Sequence, residues 1–182
     1  FDSSAFNPGS YVWLGHSTIL FKTDSLVVLT DPVFNRASPI PVFGKPFPIQ
    51  HQPALESLPA IDVVVISHDH YDHLDHLAIA ALEPSTTRFL VPLGVGAHLL
   101  RWGVPQSKIT EFDWYESESI YNTQFTMTPA RHFSGRGFTN RFKTLWGSWV
   151  ITSPTGKVFF SGDTGYFEDL KKIAADYGPF DI

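Results

Sequence analysis

A buried strand that ends in a cluster of titratable side chains constrains this sequence more than any other feature. The apolar run IDVVV at 61–65 is followed at 66–76 by ISHDHYDHLDH, in which four histidines and three aspartates occupy nine positions. Polar groups at the end of a buried strand cost free energy unless they are paired or bind metal ions. The sequence therefore predicts a metal centre at the edge of a sheet.

The cluster has the spacing H-x-H-x-D-H, with ligand-type side chains at His68, His70, Asp72 and His73. Alternate residues at a strand end point to the same side, so His68 and His70 can bind one ion. After the turn, Asp72 and His73 project towards a neighbouring point. Imidazole and carboxylate ligands suit zinc and related divalent ions. The pattern favours metal sites over the alternative, a hydrated polar loop, and each ion needs further ligands.

Those further ligands are expected at the ends of other strands. MTPARHFSGR places His132 after one strand, and VFFSGDTGY places Asp163 after another. Each residue alone could be an ordinary turn residue, but beside the H-x-H-x-D-H spacing we interpret both as ligands. Within the cluster, we expect His76 to lie on the surface or behind the ligands. Asp69, between two ligands, is expected to point away from the metal ions.

Predicted strands and helices alternate along the chain. Two or three short strands are expected in YVWLGHSTILFKTDSLVVLTDP, with turns at 15–17 and 23–25. Later strands are predicted at 62–66 and in RFLVP, KITEFD, QFTMTPA, GSWVITS and KVFFSGD, and helices at 74–83, 95–102 and 166–177. Hairpin-like pairs also occur, such as 146–152 with 157–161. The sequence therefore predicts an α/β domain of mixed sheets with helices on the outer face.

Composition excludes several classes of site and partner. The chain has no cysteine, which rules out disulfides, thiolate zinc sites and a cysteine nucleophile. A net charge of −5 argues against a nucleic-acid-binding protein. No apolar run approaches the roughly 20 residues that span a bilayer, so we expect a soluble or peripheral membrane protein. No Asp or Glu occurs from 119 to 162, although Lys and Arg do, which indicates an anionic substrate there unless these charges scatter over a solvated surface.

A proline-rich segment, residues 32–59, holds seven of the fourteen prolines, so regular structure is not expected there. Its apolar side chains include Phe34, Ile40, Val42, Phe43, Phe47 and Ile49. We expect this segment to pack on the core or, alternatively, to form a lid or a lipid-facing rim. The chain begins with Phe1 and stops at GPFDI, where a further buried strand is expected to begin, so we interpret it as part of a longer protein.

The order H-x-H-x-D-H, then a lone histidine, then GDTG resembles the metallo-β-lactamase superfamily. Within it, the chain is most similar to N-acylphosphatidylethanolamine-hydrolysing phospholipase D and its bacterial relatives, through WLGHSTILF, LTDPVFNRASP, VVISHDHYDHLD, TPARHFSGR, KTLWGSWVI, KVFFSGDTGYF and YGPFD. The resemblance implies a metallo-β-lactamase-type αββα sandwich of mixed sheets with outer helices. We therefore expect residues 1–182 to form one partial hydrolase domain, incomplete at its C-terminus.

The resemblance also implies the ligand set. It assigns six side chains to two zinc ions: His68, His70 and His132 on the first, Asp72 and His73 on the second, and Asp163 bridging the two. Asp31 in LTDP would support the ligands from below. The alternative for Asp31 is an aspartate that begins a turn before Pro32.

In the family, the second zinc ion takes one more histidine, from a later segment that this chain does not contain. The histidines that are present, His16, His51, His76 and His98, do not stand where the family has it. We therefore expect the second site to be incomplete in this chain, with the ligand coming from a missing segment, a second chain or a homodimer. His16 in LGHST stands near the site in the family pattern, but we assign it no role.

A hydroxide held between two zinc ions would be available near neutral pH to attack the phosphorus of a phosphodiester. We expect Asp31, Asp72 and Asp163 to serve catalysis. We expect Arg131 and Arg136 to hold the phosphate, and the proline-rich segment to meet acyl chains. The resemblance thus implies a zinc-dependent phosphodiesterase of the phospholipase D type, acting on N-acyl phosphatidylethanolamine-like phospholipids, with a peripheral membrane surface as a further partner. The alternatives are a lactonase or nuclease of the same fold, or an inactive metal-binding fragment.

Overall fold

The computed structural model describes residues 5–35, 37–39, 49, 53–137 and 139–182. Six strands form the first sheet, in chain order: β1 (Tyr11–Gly15), β2 (Thr18–Lys22), β3 (Val27–Thr30), β4 (Ile61–Val65), β5 (Thr86–Pro92) and β6 (Ile109–Phe112). The pairs β1–β2 and β2–β3 are antiparallel, and the pairs from β3 to β6 are parallel. The first sheet is therefore mixed, as predicted.

Four further strands form the second sheet: β7 (Ser117–Ile120), β8 (Thr123–Thr128), β9 (Ser148–Ser153) and β10 (Gly156–Phe160). All of its pairs are antiparallel, including the predicted β9–β10 hairpin. The described residues form three α-helices: α1 (His76–Leu82), α2 (Gly96–Arg101) and α3 (Asp169–Tyr177). Every predicted strand and helix occurs, with ends shifted by a few residues. The unpredicted strand is β7, whose polar SESI sequence forms a half-exposed sheet edge.

Two apolar clusters hold the layers together. One packs the helices α1 and α2 onto the first sheet, and the other fills the space between the two sheets. Strand β4 serves both, because neighbouring side chains on a strand point to opposite faces. Its Val64 joins the helix-side cluster, whereas Val63 and Val65 face the second sheet. Burial on both faces explains why IDVVV is almost continuously apolar.

The cluster sequence emerges where the two sheets are tied together. At the end of β4, the carbonyl of Ile66 accepts a hydrogen bond from the Trp149 indole at 2.8 Å. The carbonyl of Ser67 accepts one from the backbone of Gly147 at 3.0 Å. Both donors belong to the second sheet or the turn before it. The end of β4 is therefore held by hydrogen bonds to both layers, so the side chains that follow start from a rigid position.

The proline-rich segment is anchored to the start of α1. One carboxylate oxygen of Asp75 caps the N-terminus of that helix. Its other oxygen accepts hydrogen bonds from the backbone of Phe34 and Asn35, at 3.2 and 2.7 Å. Phe34 packs against the helix-side core, as the packing alternative predicts. Ile40, Val42, Phe43, Phe47 and His51 lie outside the described residues. In the described part of the chain, none of the helices has the length and apolar character needed to cross a bilayer.

Candidate metal centre

Three histidines from two separated loops converge on one point. His68 Nε2 lies 2.9 Å from His70 Nδ1, which in turn lies 3.1 Å from His132 Nε2. A tetrahedral ion with ligand bonds of roughly 2.0–2.1 Å separates its ligand atoms by about 3.3 Å. The spacing of this three-histidine group (His68, His70 and His132) is therefore close to that of ligands on a single ion.

Burial and mutual repulsion keep the three-histidine group neutral. Burial lowers the pKa of His68 strongly, and the neighbouring imidazoles lower it further. Burial likewise lowers the pKa of His70, with His132 the next cause. For His132, burial lowers the pKa although the Asp163 carboxylate opposes it. Neutral imidazoles with lone pairs are the form that binds metal ions, so the group needs to release few protons on metal binding at neutral pH.

Asp31 and Ser67 orient two of the ligands from behind. The Asp31 carboxylate accepts hydrogen bonds from His73 Nδ1 at 2.6 Å and from the Ser67 hydroxyl at 2.5 Å. Since the single hydroxyl proton of Ser67 goes to Asp31, His68 Nδ1 must be the donor in its 2.9 Å contact with Ser67 Oγ. His68 and His73 thus carry their protons on Nδ1 and turn Nε2 towards the site. Asp31 lies below the ligands as expected; the role of Ser67 was missed, although it immediately precedes H-x-H-x-D-H.

The surroundings of the buried His73 Nε2 atom show whether a cation would fit beside it. This side chain is fully buried, and its Nε2 makes no hydrogen bond, although Asp163 Oδ1 lies 3.2 Å away. A buried polar atom without a partner costs free energy, and a metal ion would satisfy it. Burial lowers the pKa of His73, but the neighbouring carboxylates of Asp163 and Asp31 outweigh this and raise it to about 10. In the absence of metal this imidazole therefore carries a proton at the position that a cation would take.

Asp163 lies between the two halves of the site. Its Oδ1 is 3.2 Å from His73 Nε2, and its Oδ2 is 3.7 Å from His132 Nε2. The neighbouring His73 imidazole lowers the pKa of the Asp163 carboxyl well below its usual range, so it stays ionised. Gly162, with a φ of 53°, makes this placement possible, because a Cβ there would stand 2.5 Å from that of Ser67. Asp163 therefore lies where the resemblance places a bridging ligand, and the bridging role itself stays a prediction.

A second set of donors surrounds Asp72. His16, Asp72 and His73, which we call the second group, each offer a ligand atom, and these atoms lie within 4.8 Å of one another. His16 Nε2 is 3.2 Å from Asp72 Oδ2. The turn between β1 and β2 brings His16 across to Asp72 and His73, so it stands near the site as the family pattern implies. A histidine in the tight turn of LGHST was the available signal. That the family's further histidine lies in a later segment stays a prediction.

The remaining histidines and Asp69 have other partners. His76 is exposed and stacks on Trp102, with ring centroids 4.9 Å apart. Asp69 is buried and accepts hydrogen bonds from the Gly135 backbone at 2.7 Å and from His98 Nε2 at 3.3 Å. Asp69 therefore points away from the ligand atoms, as expected, and holds the loop that carries His132.

The structure places the two predicted phosphate-binding arginines in contacts with the protein itself. The Arg136 guanidinium donates to the carbonyls of Asp69 and Leu74, at 2.7 and 2.8 Å, and stacks on Tyr71. Arg131 donates to the Tyr166 carbonyl at 2.9 Å. Sequence patterns could not reveal these partners, because they come from loops far away along the chain. Arg136 also lines a cavity of about 560 Å³ together with Tyr71 and Trp102.

An aromatic rim lies beside the three-histidine group. Phe133 is 37% exposed, and its ring centroid lies 4.7 Å from those of both His70 and His132. The exposed Phe142 ring lies 6.2 Å beyond it, and the Arg141 guanidinium stacks on both phenylalanines at 4.7 and 4.9 Å. The mouth of the site is therefore apolar and cationic on this side. We call Phe133, Arg141 and Phe142 the aromatic rim.

Comparison with known proteins identifies the family and supports the fold. A family model described as a beta-lactamase superfamily domain matches residues 27–182. The chain belongs to this family. The metallo hydrolase Igni18 from Ignicoccus hospitalis superposes with a TM-score of 0.67 at 21% identity, over 93% of this chain and 66% of that one. This similarity supports the predicted metallo-β-lactamase-type fold.

Two relatives illustrate the sequence similarity. An uncharacterized protein of Mycobacterium tuberculosis is 51% identical over 93% of this chain and 46% of its own length. The N-acyl-phosphatidylethanolamine-hydrolyzing phospholipase D 1 of Caenorhabditis elegans is 35% identical over 93% of this chain and 51% of its own length. The chain thus spans about half the length of these relatives.

Proposed function

We propose that the protein is a zinc-dependent hydrolase that cleaves phosphodiesters of the N-acyl phosphatidylethanolamine type. The observation that carries a metal-dependent activity is the buried His73 Nε2 without a hydrogen bond, which lies among the histidine and aspartate side chains of both ligand groups. The phosphodiester substrate is supported by the similarity to a worm enzyme that hydrolyses N-acyl-phosphatidylethanolamine.

Each residue of the site has a separable task in this proposal. The three-histidine group would hold one ion, Asp72 and His73 would hold a second, and Asp163 would contact both. Asp31 and Ser67 keep the imidazoles in the ligand tautomer, which avoids a reorganisation when substrate binds. When bound, divalent ions supply Lewis-acid charge and make hydroxide available near neutral pH.

The aromatic rim supports a lipid substrate. Phe133 and Phe142 present apolar surface at the mouth of the site, and Arg141 adds a cation that suits an anionic phosphodiester. An amphiphile whose phosphate enters the site would lay its acyl chains on these rings. Arg131 and Arg136 then act by holding the surrounding loops, since their guanidinium groups donate to backbone carbonyls.

The test combines metal analysis with product detection on the protein in its full natural length. We expect elemental analysis to find zinc, and mass spectrometry to find phosphatidic acid released from N-acyl phosphatidylethanolamine vesicles. His70→Ala should abolish release, whereas His76→Ala, which alters an exposed histidine outside the ligand groups, should not. Release of no phosphatidic acid by the metal-loaded protein would refute the substrate, and turnover unaffected by His70→Ala would refute the site.

A further inference from the structure

We infer that Phe133 is a positioning residue of the metal centre, whose ring holds the His70 and His132 imidazoles in the orientation that binds the ion of the three-histidine group. The inference rests on the metal centre of the proposed hydrolase and is independent of its substrate. It gives Phe133 a task different from that of Phe142, although both belong to the aromatic rim.

Hydrogen bonds from behind hold two of the ligand imidazoles. Metal-binding histidines are normally fixed by a hydrogen bond from the ring nitrogen that does not face the ion. His68 follows this rule, because its Nδ1 donates to Ser67 Oγ at 2.9 Å. His73 Nδ1 likewise donates to the Asp31 carboxylate, at 2.6 Å. Each of these two rings therefore has an orientation that is set before an ion binds.

His70 and His132 lack such a hydrogen bond within the part of the chain that the structure describes. His70 turns Nδ1 towards the site, 2.9 Å from His68 Nε2, and His132 turns Nε2 towards the same point. The ring nitrogens on the far side, His70 Nε2 and His132 Nδ1, make no hydrogen bond with any described residue. Another contact is therefore needed to orient these two rings before an ion binds.

The Phe133 ring supplies that contact. Its centroid lies 4.7 Å from that of His70 at an interplanar angle of 69°, and 4.7 Å from that of His132 at 36°. Aromatic rings attract each other at such separations when they meet edge to face or tilted. One ring thus touches both of the imidazoles that lack a hydrogen bond from behind. Rotating either imidazole away from the ion would break its contact with Phe133.

The backbone that follows Phe133 is itself fixed. Ser134 is fully buried, and its hydroxyl donates to a backbone carbonyl at 2.6 Å. The Gly135 amide donates to Asp69 Oδ1 at 2.7 Å. On the ring itself, the Arg141 guanidinium lies 4.7 Å from the centroid. A ring held in this way can keep neighbouring imidazoles in place, which a ring on an unanchored loop could not do.

A simpler role for Phe133 would be to offer apolar surface to acyl chains, as proposed for the whole aromatic rim. Phe142 separates the two roles, because its exposed ring lies 6.2 Å beyond Phe133 and contacts no histidine ring among the described residues. Phe142→Ala therefore removes the same apolar ring from the rim without affecting either imidazole. Phe133→Tyr is the conservative variant, since it keeps the ring and adds a hydroxyl to a side chain that is already 37% exposed.

The experiment measures the Zn²⁺ affinity of the protein, in its full natural length, by competition with a chromophoric chelator. In Phe133→Ala we expect affinity for one of two ions to fall about tenfold, as when a partner behind a ligand is lost, with the other ion unchanged. Phe133→Tyr and Phe142→Ala should bind both ions as the unsubstituted protein does. A loss of less than about threefold in Phe133→Ala, or an equal loss in Phe142→Ala, would overturn the inference.

A second measurement separates positioning from a general loss of stability. With Co²⁺ in place of Zn²⁺, the visible absorption bands report how the ligands are arranged around the ion. Phe133→Ala should change the intensity or position of these bands, whereas Phe133→Tyr and Phe142→Ala should retain them. An unchanged spectrum in Phe133→Ala would overturn the inference, because a substitution that only destabilises the fold leaves the ligand geometry of the bound ion as it was.

Both measurements read metal binding alone. A protein that shows these effects but releases no phosphatidic acid would refute the proposed substrate and leave the inference intact. Unchanged affinity and spectra in Phe133→Ala, together with a release of phosphatidic acid that depends on His70, would overturn the inference and leave the proposed function intact. Absence of metal binding by the unsubstituted protein would overturn both.

Discussion

The two halves of the metal centre are prepared for a cation in different ways. The three-histidine group is neutral in the absence of metal, because burial lowers the pKa of each member, and its lone pairs already converge. In the second group, His73 is buried and protonated, with its pKa raised to about 10, whereas Asp72 and His16 are partly exposed. The first half is a preformed ligand set. The second must exchange a proton for a metal ion.

The largest expected effect comes from removing the preformed half. His68→Ala deletes a buried ligand and should lower hydrolysis by about 1,000-fold or more, because metal catalysis is worth several kcal/mol. Steady-state kinetics at saturating zinc measure this loss. His76→Ala, which removes an exposed imidazole of the same cluster, should stay within about twofold of the unsubstituted protein. Equal losses in both variants would contradict the importance of the three-histidine group.

The orienting carboxylate should matter most for the second half. Asp31→Asn removes the negative charge beside His73 Nδ1 and replaces one of the two acceptor oxygens by an NH2 donor. Affinity for the second ion should therefore fall about 10–100-fold, with a smaller effect on the first. Calorimetric titration with Zn²⁺ separates the two affinities. The matched control is Asp62→Asn, because Asp62 also accepts a backbone hydrogen bond, from Val27 at 2.8 Å, but far from the ligands. If Asp62→Asn weakened binding of the second ion as much as Asp31→Asn does, the loss of affinity would reflect a general loss of folding.

The position of Asp163, between the two halves of the metal centre, depends on Gly162. Gly162→Ala places a Cβ 2.5 Å from that of Ser67 and should lower the free energy of unfolding by about 2–4 kcal/mol, weakening both metal sites. Chemical denaturation measures the stability. Gly103→Ala is the control, because Gly103 also has a positive φ, of 96°, but a Cβ there meets no atom within 4 Å. It should cost about 1 kcal/mol and leave metal binding unchanged. Similar effects of the two substitutions would exclude close approach as the cause.

The last prediction concerns the protons released on metal binding. A metal ion at the second group must displace the proton on His73, so binding there should release about one proton at pH 7 and strengthen up to tenfold per pH unit as pH rises towards 10. Binding at the three-histidine group should release almost none and change little between pH 7 and 9. Calorimetry in buffers of different ionisation enthalpy measures both. Equal proton release at the two sites would remove the distinction between them.

Strands could be predicted from the sequence where a local pattern of residues causes the structure. The continuous apolar run of β4 predicted a buried strand, and the β9–β10 hairpin was predicted from two adjacent strand-like segments. Strand β7 was not predicted, because its sequence SESI is polar and forms a strand only through pairing with β8. The metal-binding character of 66–76 was equally local, since H-x-H-x-D-H places its ligand types within six positions.

The sequence by itself determined the chemistry of the site: which imidazoles and carboxylates exist, and that a strand end must present them together. Only the tertiary structure decided their neighbours. It put His16 beside Asp72, gave Ser67 the link between His68 and Asp31, and turned the Arg136 guanidinium towards backbone carbonyls. The physical reason is that ligand identity is a property of single residues, whereas distance and hydrogen-bond partners depend on how strands distant in sequence pack edge to edge.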